Sequence, residues 1–216
     1  MEEKETGRLE AFSDGVLAVA ITLLILNIQP PSVDQLLDGA LLKFLGLQWP
    51  KLLAFVASFA TIGIMWINHH RLFTYIKRTD TVLFLLNLLL LLIIVFIPFP
   101  TALVAQQYAE HPDQHVAAAL YSGTSVILAI SFNLLWRYAT YHNRLLGKNV
   151  DTRAVAAISG QYVFGPLVYL IAFGLAWINT LASIVCNLLL ALFFALPPRL
   201  PRRLRQEGEE VSSLSR

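Results

Sequence analysis

The stretch Arg8-Leu9-Glu10-Ala11-Phe12-Ser13-Asp14-Gly15-Val16 sets a cation, carboxylates and a hydroxyl at the mouth of an apolar segment. Such groups are costly to desolvate unless each finds a partner. Arg8 and Asp14 are six residues apart, nearly two helical turns, so they need not pair with each other. A second run, Trp66-Ile67-Asn68-His69-His70-Arg71, ends another apolar segment and offers indole, amide and imidazole groups that can satisfy a carboxylate. Three roles stand open for Ser13 and Asp14. They can open a helix by accepting free backbone N–H groups, tie two helices together, or take part in gating and ion entry. For His69 and His70 the choice lies between interfacial hydrogen bonding and pH sensing. Adjacent histidines face different sides of a helix, so a shared metal site has little support.

The remaining polar residues inside apolar segments are Asn87, Ser131, Asn133, Ser159 and Asn187, and interhelical hydrogen bonding is the expected use of each. The single cysteine, Cys186, forms no intrachain disulfide and reads as a packing residue. Nothing in the chain pairs a serine with a plausible base, two carboxylates within the membrane, or Cys with His as metal ligands, so an enzyme is not expected. No cofactor is expected either. A proton-coupled secondary transporter of a small cation or drug stays as the alternative, although no ionisable residue sits clearly at the midplane and no inverted repeat is visible.

The elements that position these groups follow from hydropathy. Of 216 residues, 56% are hydrophobic and 14% charged, against roughly 45–50% and 25% in soluble domains, which points away from a water-soluble fold. About 20 apolar residues span a bilayer. Six segments reach that length: residues 11–28, 52–72, 82–106, 116–138, 155–177 and 178–196. The expected fold is therefore an all-α membrane protein of six transmembrane helices in one domain, residues 1–196, followed by a basic then acidic cytoplasmic tail, residues 197–216. The acidic stretch before the first segment and the absence of a small-residue cleavage site argue against a signal peptide. Alternate loops carry fourteen Lys and Arg residues on one side and two, Lys43 and Lys51, on the other. The positive-inside rule then sends both termini to the cytoplasm of a multi-pass cell-membrane protein. The basic residues are accounted for by topology, and no nucleic-acid partner is inferred.

Between the first two segments, Pro30-Pro31 ends a helix and Ser32 with Gln35 has capping-box spacing. A short external helix is expected there, with Leu36, Leu37, Leu41, Phe44 and Leu45 on one face and Asp34, Asp38 and Lys43 wet. It either lies on the outer interface or lines a vestibule. Pro98, Pro100 and the Gly165-Pro166 pair should kink or break their helices. A tight turn near Trp177 and Asn179 must join the last two segments.

The chain resembles the bacterial homologues of transmembrane protein 175, a family whose animal members are endosomal and lysosomal potassium channels. The resemblance rests on Arg8, Phe12, Ser13 and Asp14, an Arg followed after three residues by Phe-Ser-Asp, which continue into Gly15-Val16-Leu17-Ala18-Val19-Ala20-Ile21-Thr22. Trp66-Ile67-Asn68-His69-His70-Arg71-Leu72-Phe73 and Asn87 with Pro98-Phe99-Pro100-Thr101 carry it further. It implies a homotetramer in the bacterial inner membrane, its only other partners being lipid and monovalent cations, with potassium as the permeant species. The first helix of each subunit would line a central pore, with Val19, Leu23 and Leu26 forming apolar rings and Thr22 beside them. Spacings of four and three residues independently place those three on one helical face. Val19 stands where members often have isoleucine, which implies a slightly wider ring and weaker selectivity. No Thr-Val-Gly-Tyr-Gly loop is present, so the apolar rings would have to select by dewetting or by stripping water.

Overall fold

The computed structural model describes residues 4–28, 30–32, 41–110, 115–148 and 150–196. All its regular elements are helices: α1 (Lys4–Leu23), α2 (Leu41–Leu47), α3 (Trp49–Tyr75), α4 (Thr81–Phe96), α5 (Pro98–Glu110), α6 (His115–Thr140), α7 (Thr152–Ala176) and α8 (Thr180–Ala195), with 3-10 turns at Leu24–Asn27 and Tyr141–Asn143. Among the described residues five spans are long and apolar enough to cross a membrane, namely Thr6–Asn27, Trp49–Tyr75, Thr81–Gln107, His115–Asn143 and Thr152–Ala176. The apolar α8 has 16 residues, about 24 Å of helix against a hydrocarbon core of roughly 30 Å. The expected capping box at Gln35, the face carried by Leu36 and Leu37, the residues Asp34 and Asp38, and the tail from residue 197 lie outside the described residues.

α1 starts at Lys4, well before the expected boundary at residue 11, because the polar run 4–10 continues the helix. Its buried seam is Thr6, Leu9, Ser13, Leu17 and Leu24, at spacings of three, four, four and seven, and it packs on α3 and α4. Ser13 and Asp14 therefore sit in mid-helix, and the helix-opening role is excluded.

Asp80 caps α4 by accepting from the Leu83 amide at 2.9 Å. The expected break at the prolines falls at Ile97, where Pro98 has no N–H to continue the ladder. The Ile97 amide donates three residues back, to Ile94 O at 3.2 Å. Thr101 then returns both its amide and its hydroxyl to Ile97 O, at 3.2 and 2.9 Å, so the interruption leaves that carbonyl satisfied. Pro166, by contrast, lies within one continuous helix, α7, so the break expected there does not occur.

α6, α7 and α8 pack together, with α6 against α7 the most extensive pairing. Trp177–Asn179 makes the tight turn expected of it, with the Asn179 amide on Leu175 O at 2.8 Å and the Asn179 side chain accepting from Ala182 N. α2 carries exposed Leu41, Leu45 and Lys43 and a half-buried Phe44. Cys186 is free and half-buried.

The two basic loops meet at one end of the molecule. The Lys77 and Arg78 amides donate to Leu145 O at 2.9 and 3.1 Å, and the Gly147 amide donates to Tyr75 O at 3.1 Å. A side chain at Gly147 would press on Lys77 Cγ at 3.1 Å and Val150 Cγ2 at 3.2 Å, so the close approach of the loops favours glycine. Asp80 fastens the junction, accepting from the Tyr138 hydroxyl at 2.6 Å and from Arg144 Nη2 at 3.2 Å. Burial opposes the Asp80 charge, but the Tyr138 hydroxyl, the Leu83 and Val82 amides and Arg144 outweigh it and hold the carboxyl below its ordinary range. Arg71 joins the same end from α3. Its guanidinium donates to the last carbonyls of α8, with Nη2 on Ala195 O at 2.7 Å and Nη1 near Phe194 O and Leu196 O. Those carbonyls have no intrahelical partner, and the positive charge suits a helix C-terminus.

Candidate functional site: the first helix and its polar anchors

Two faces of α1 do different things. The inward seam is anchored through Ser13, fully buried, whose hydroxyl donates to Leu9 O at 2.8 Å and accepts from Asn87 Nδ2 of α4 at 2.9 Å. Asn87 Oδ1 in turn lies 2.9 Å from His69 Nε2 of α3, and with the amide N–H groups turned to Ser13 this contact has His69 donating. His69 stacks on Phe73 at 4.4 Å between centroids. Three helices are thus joined through one buried amide, and Asn87 proves to be the hub where the motif residues alone suggested only partners. One residue along, Trp66 Nε1 donates to Asp14 Oδ1 at 2.8 Å, tying α3 to the edge of α1.

The neighbouring histidines separate as expected from their faces. His69 is buried in the tie, while His70 is exposed and stacked on Trp66 at 6.0 Å. Among the described residues no three His, Cys, Asp or Glu side chains gather as a metal site. Asn68 accepts from Arg71 Nη1 at 3.3 Å and so belongs to the α3–α8 junction rather than to the α1 tie. Arg8 and Phe12 are exposed, away from the buried seam.

The outward face carries the remaining candidates. Val19, Leu23 and Leu26 are 56%, 53% and 69% exposed, with Gly15 and Ala18 exposed before them and Thr22 exposed beside them. None of them points into the subunit's own core. Leu26 falls in the 3-10 turn, where residues three apart eclipse, so it stacks under Leu23 more directly than an α-helix would allow. Thr22 Oγ1 donates to its own helix, 2.8 Å from Ala18 O and 3.1 Å from Val19 O.

Of the other intramembrane polar residues marked in the sequence, Asn133, Ser159 and Asn187 bridge helices and Ser131 does not. Asn133 donates to Tyr162 O at 2.7 Å, Ser159 accepts from Trp136 Nε1 at 2.9 Å, and Asn187 donates to Ser122 Oγ at 2.9 Å. Ser131 donates to Ile127 O of its own helix, so the interhelical bond expected of it is not made. Asp80 and the capping role of Arg71 escaped the sequence reading, although an Asp directly before an apolar run is a recognisable N-cap signal.

The description "Endosomal/lysosomal potassium channel TMEM175" matches residues 8–98, the part that holds α1, α3, α4 and the whole anchor. A potassium channel of Chamaesiphon minutus is 48% identical over 195 residues, covering 90% of this chain and 96% of that one. The chain belongs to the TMEM175 family. A second TMEM175-like relative, a potassium channel of Streptomyces collinus, is 44% identical over 190 residues, covering 88% of this chain and 91% of its own length. The fold agrees with the crystal structure of a lysosomal potassium-selective channel TMEM175 homologue from Chamaesiphon minutus at a TM-score of 0.76 and 46% identity, covering 89% of this chain and 97% of that one. These relatives and the shared fold are those of ion channels, not enzymes.

Proposed function

We propose that the chain is a passive, potassium-permeable channel in which α1 of each of four identical subunits lines a central pore. The observation that carries this is the exposed stripe Val19, Leu23 and Leu26, set opposite a polar-anchored buried seam on the same helix. An apolar stripe facing lipid would need no small residues. Here exposed Gly15 and Ala18 lead into it and Thr22 lies beside it, which suits close approach of neighbouring helices around an axis. The kinship with proteins named potassium channels supports the same reading, and nothing favours the coupled transporter.

In this reading the chain is a multi-pass protein of the bacterial inner membrane. Residues 1–196 form one channel domain in which α8 is the sixth crossing, and residues 197–216 form a cytoplasmic tail. An even number of crossings agrees with the gathering of the α1 start, both basic loops and the α8 end at one side, where Glu10 lies within electrostatic reach of Lys77 and His70. The branched side chains of Val19, Leu23 and Leu26 form narrow rings that admit a cation only as it sheds water, while Ser13 and Asp14 hold the helix at a fixed angle. No residue needs to change protonation or covalent state for transport.

The test is potassium flux from liposomes containing purified protein and its Leu23→Ala variant. Removing that side chain should raise flux or reduce discrimination against sodium, with subunit assembly unchanged. Unaltered flux and selectivity in well-assembled Leu23→Ala protein would remove α1 from the pore.

A further inference from the structure

Away from the exposed face of α1, the helices α3, α6, α7 and α8 and the break between α4 and α5 bound a cavity of about 10 Å³. Its polar lining is Thr61, Tyr121, Thr124, Ser125, Tyr169 and Asn187, and among the described residues none that borders it is charged. The hydrogens of this lining are nearly all engaged elsewhere. Thr61 Oγ1 donates to Ala57 O at 2.8 Å, Thr124 Oγ1 to Leu120 O at 2.8 Å and Ser125 Oγ to Tyr121 O at 3.1 Å. With its own hydrogen so placed, Thr61 receives the Tyr121 hydroxyl. Asn187 Nδ2 donates to both Ser122 Oγ and Ser183 O at 2.9 Å, which fixes the orientation of its amide. Its Oδ1 is then left buried without a hydrogen-bond partner among the described residues.

Five of the six polar side chains therefore offer the cavity acceptors alone, and only the Tyr169 hydroxyl can turn its hydrogen either way. A volume of about 10–15 Å³ holds one particle the size of a water. A water brings two hydrogens and leaves most of these acceptors unserved, which is costly for buried oxygens. A bare monovalent cation draws on all of them at once. Membrane proteins coordinate sodium with neutral oxygens where a helix is interrupted, and Ile97 and Pro100, at the break between α4 and α5, border this cavity. A divalent ion would call for carboxylates that the lining lacks. A way in lies alongside. Ser58, nearly one turn from Thr61, and Pro98, two residues from Pro100, border a pocket of about 420 Å³ edged by Asn27, Lys51 and Gln106. Lys51, the one charged residue of that rim, is exposed and about 15 Å along α3 from Thr61, farther than charges act through physiological salt.

We propose that each subunit binds one sodium ion in this cavity, held by Asn187 Oδ1 together with hydroxyl oxygens of Thr61, Tyr121, Thr124 and Ser125. The single-particle volume favours sodium over the larger potassium ion. The bound ion joins α3 to α6 and α8 and is not the conducted species, since Val19, Leu23 and Leu26 border neither the cavity nor the wide pocket beside it. From Thr61, α3 runs on to Trp66 and His69, which fasten α1 and Asn87, so a filled site stiffens the support of the first helix.

The experiment uses the purified full chain in detergent. Bound radioactive sodium is counted by equilibrium dialysis, and the melting temperature is followed as sodium chloride replaces choline chloride at constant ionic strength, with potassium chloride as a parallel series. Saturation at one sodium per subunit is expected, with a melting temperature that climbs with the logarithm of sodium concentration, as for a ligand held only by the folded state, and climbs less with potassium. Thr124→Val removes an oxygen whose hydrogen serves only its own helix, and should raise the half-saturating sodium concentration about tenfold. Asn187→Asp sets a carboxylate at the unpartnered oxygen and should lower it about tenfold. Should that variant not fold, the parent and Thr124→Val still decide. Equal melting temperatures in sodium, potassium and choline would leave the cavity to a water and overturn the site. So would saturation below one sodium per subunit, the count for ions shared on a common axis, or a half-saturation that Thr124→Val leaves unmoved. Any of these results leaves the pore assignment standing, because flux through Leu23→Ala tests that separately.

Discussion

Replacing Asn87 by Leu tests the tie that holds α1. The parent amide is fully buried, donates to Ser13 Oγ and receives His69 Nε2, each at 2.9 Å. Ser13 still has Leu9 O for its own proton, so it loses only an incoming bond. His69, 1% exposed, loses the partner of its ring N–H. A buried donor stripped of its acceptor costs about 1–3 kcal/mol, and the average interhelical polar pair in a membrane protein adds about 0.6 kcal/mol. Leucine recovers little, because the alternative environment in a bilayer is equally apolar. The expected loss is therefore roughly 2–3 kcal/mol, measured by reversible unfolding in mixed detergent–SDS micelles. Ser13→Ala should cost less, and the double variant should fall short of additivity because the two residues share one bond. A loss under about 0.5 kcal/mol for Asn87→Leu, or strict additivity, would refute the hub.

Other expectations follow from the loop end and from the proposed pore face of α1. Asp80→Asn keeps a capping oxygen but loses the charge that Tyr138 and Arg144 address; with Arg144 half exposed, it should destabilise by about 1 kcal/mol at neutral pH. Because the folded carboxyl lies below its ordinary value of about 4, its contribution is present above that pH and is lost as pH falls through the lower folded value, so the parent's melting temperature should slope down there and the variant's slope should be shallower. Arg71→Gln should release the carbonyls that end α8, seen as faster hydrogen exchange at residues 190–196, and unchanged exchange would mean that the guanidinium is not the cap. Leu23→Ala is expected to alter potassium flux or selectivity, measured as flux from liposomes.

Five spans were legible because their apolar runs are long, as in residues 82–106, which lie between the charged Asp80 and Glu110. The start of α1 was not, since Lys4 to Glu10 lacks the apolar residues that announce a membrane helix yet still favours helix once Leu9 and Thr6 are buried. Pro98 and Pro166 look alike in sequence. One ends a helix and the other lies within one, because a single missing N–H can be absorbed whereas Pro98 and Pro100 remove two in succession. The motif residues Ser13, Asp14, Trp66 and His69 were found by type and spacing, but their pairing was not, because Asn87 and Trp66 reach α1 from helices far along the chain.

Thr22 has a consequence for which sign of charge can pass. Its hydroxyl proton is committed to carbonyls of its own helix, so only lone pairs remain to face outward. A group held in that state can solvate a cation and has nothing to offer chloride. Repeated around the proposed axis, such oxygens would bar anions with no acidic side chain nearby, the discrimination resting on where a single hydrogen is parked.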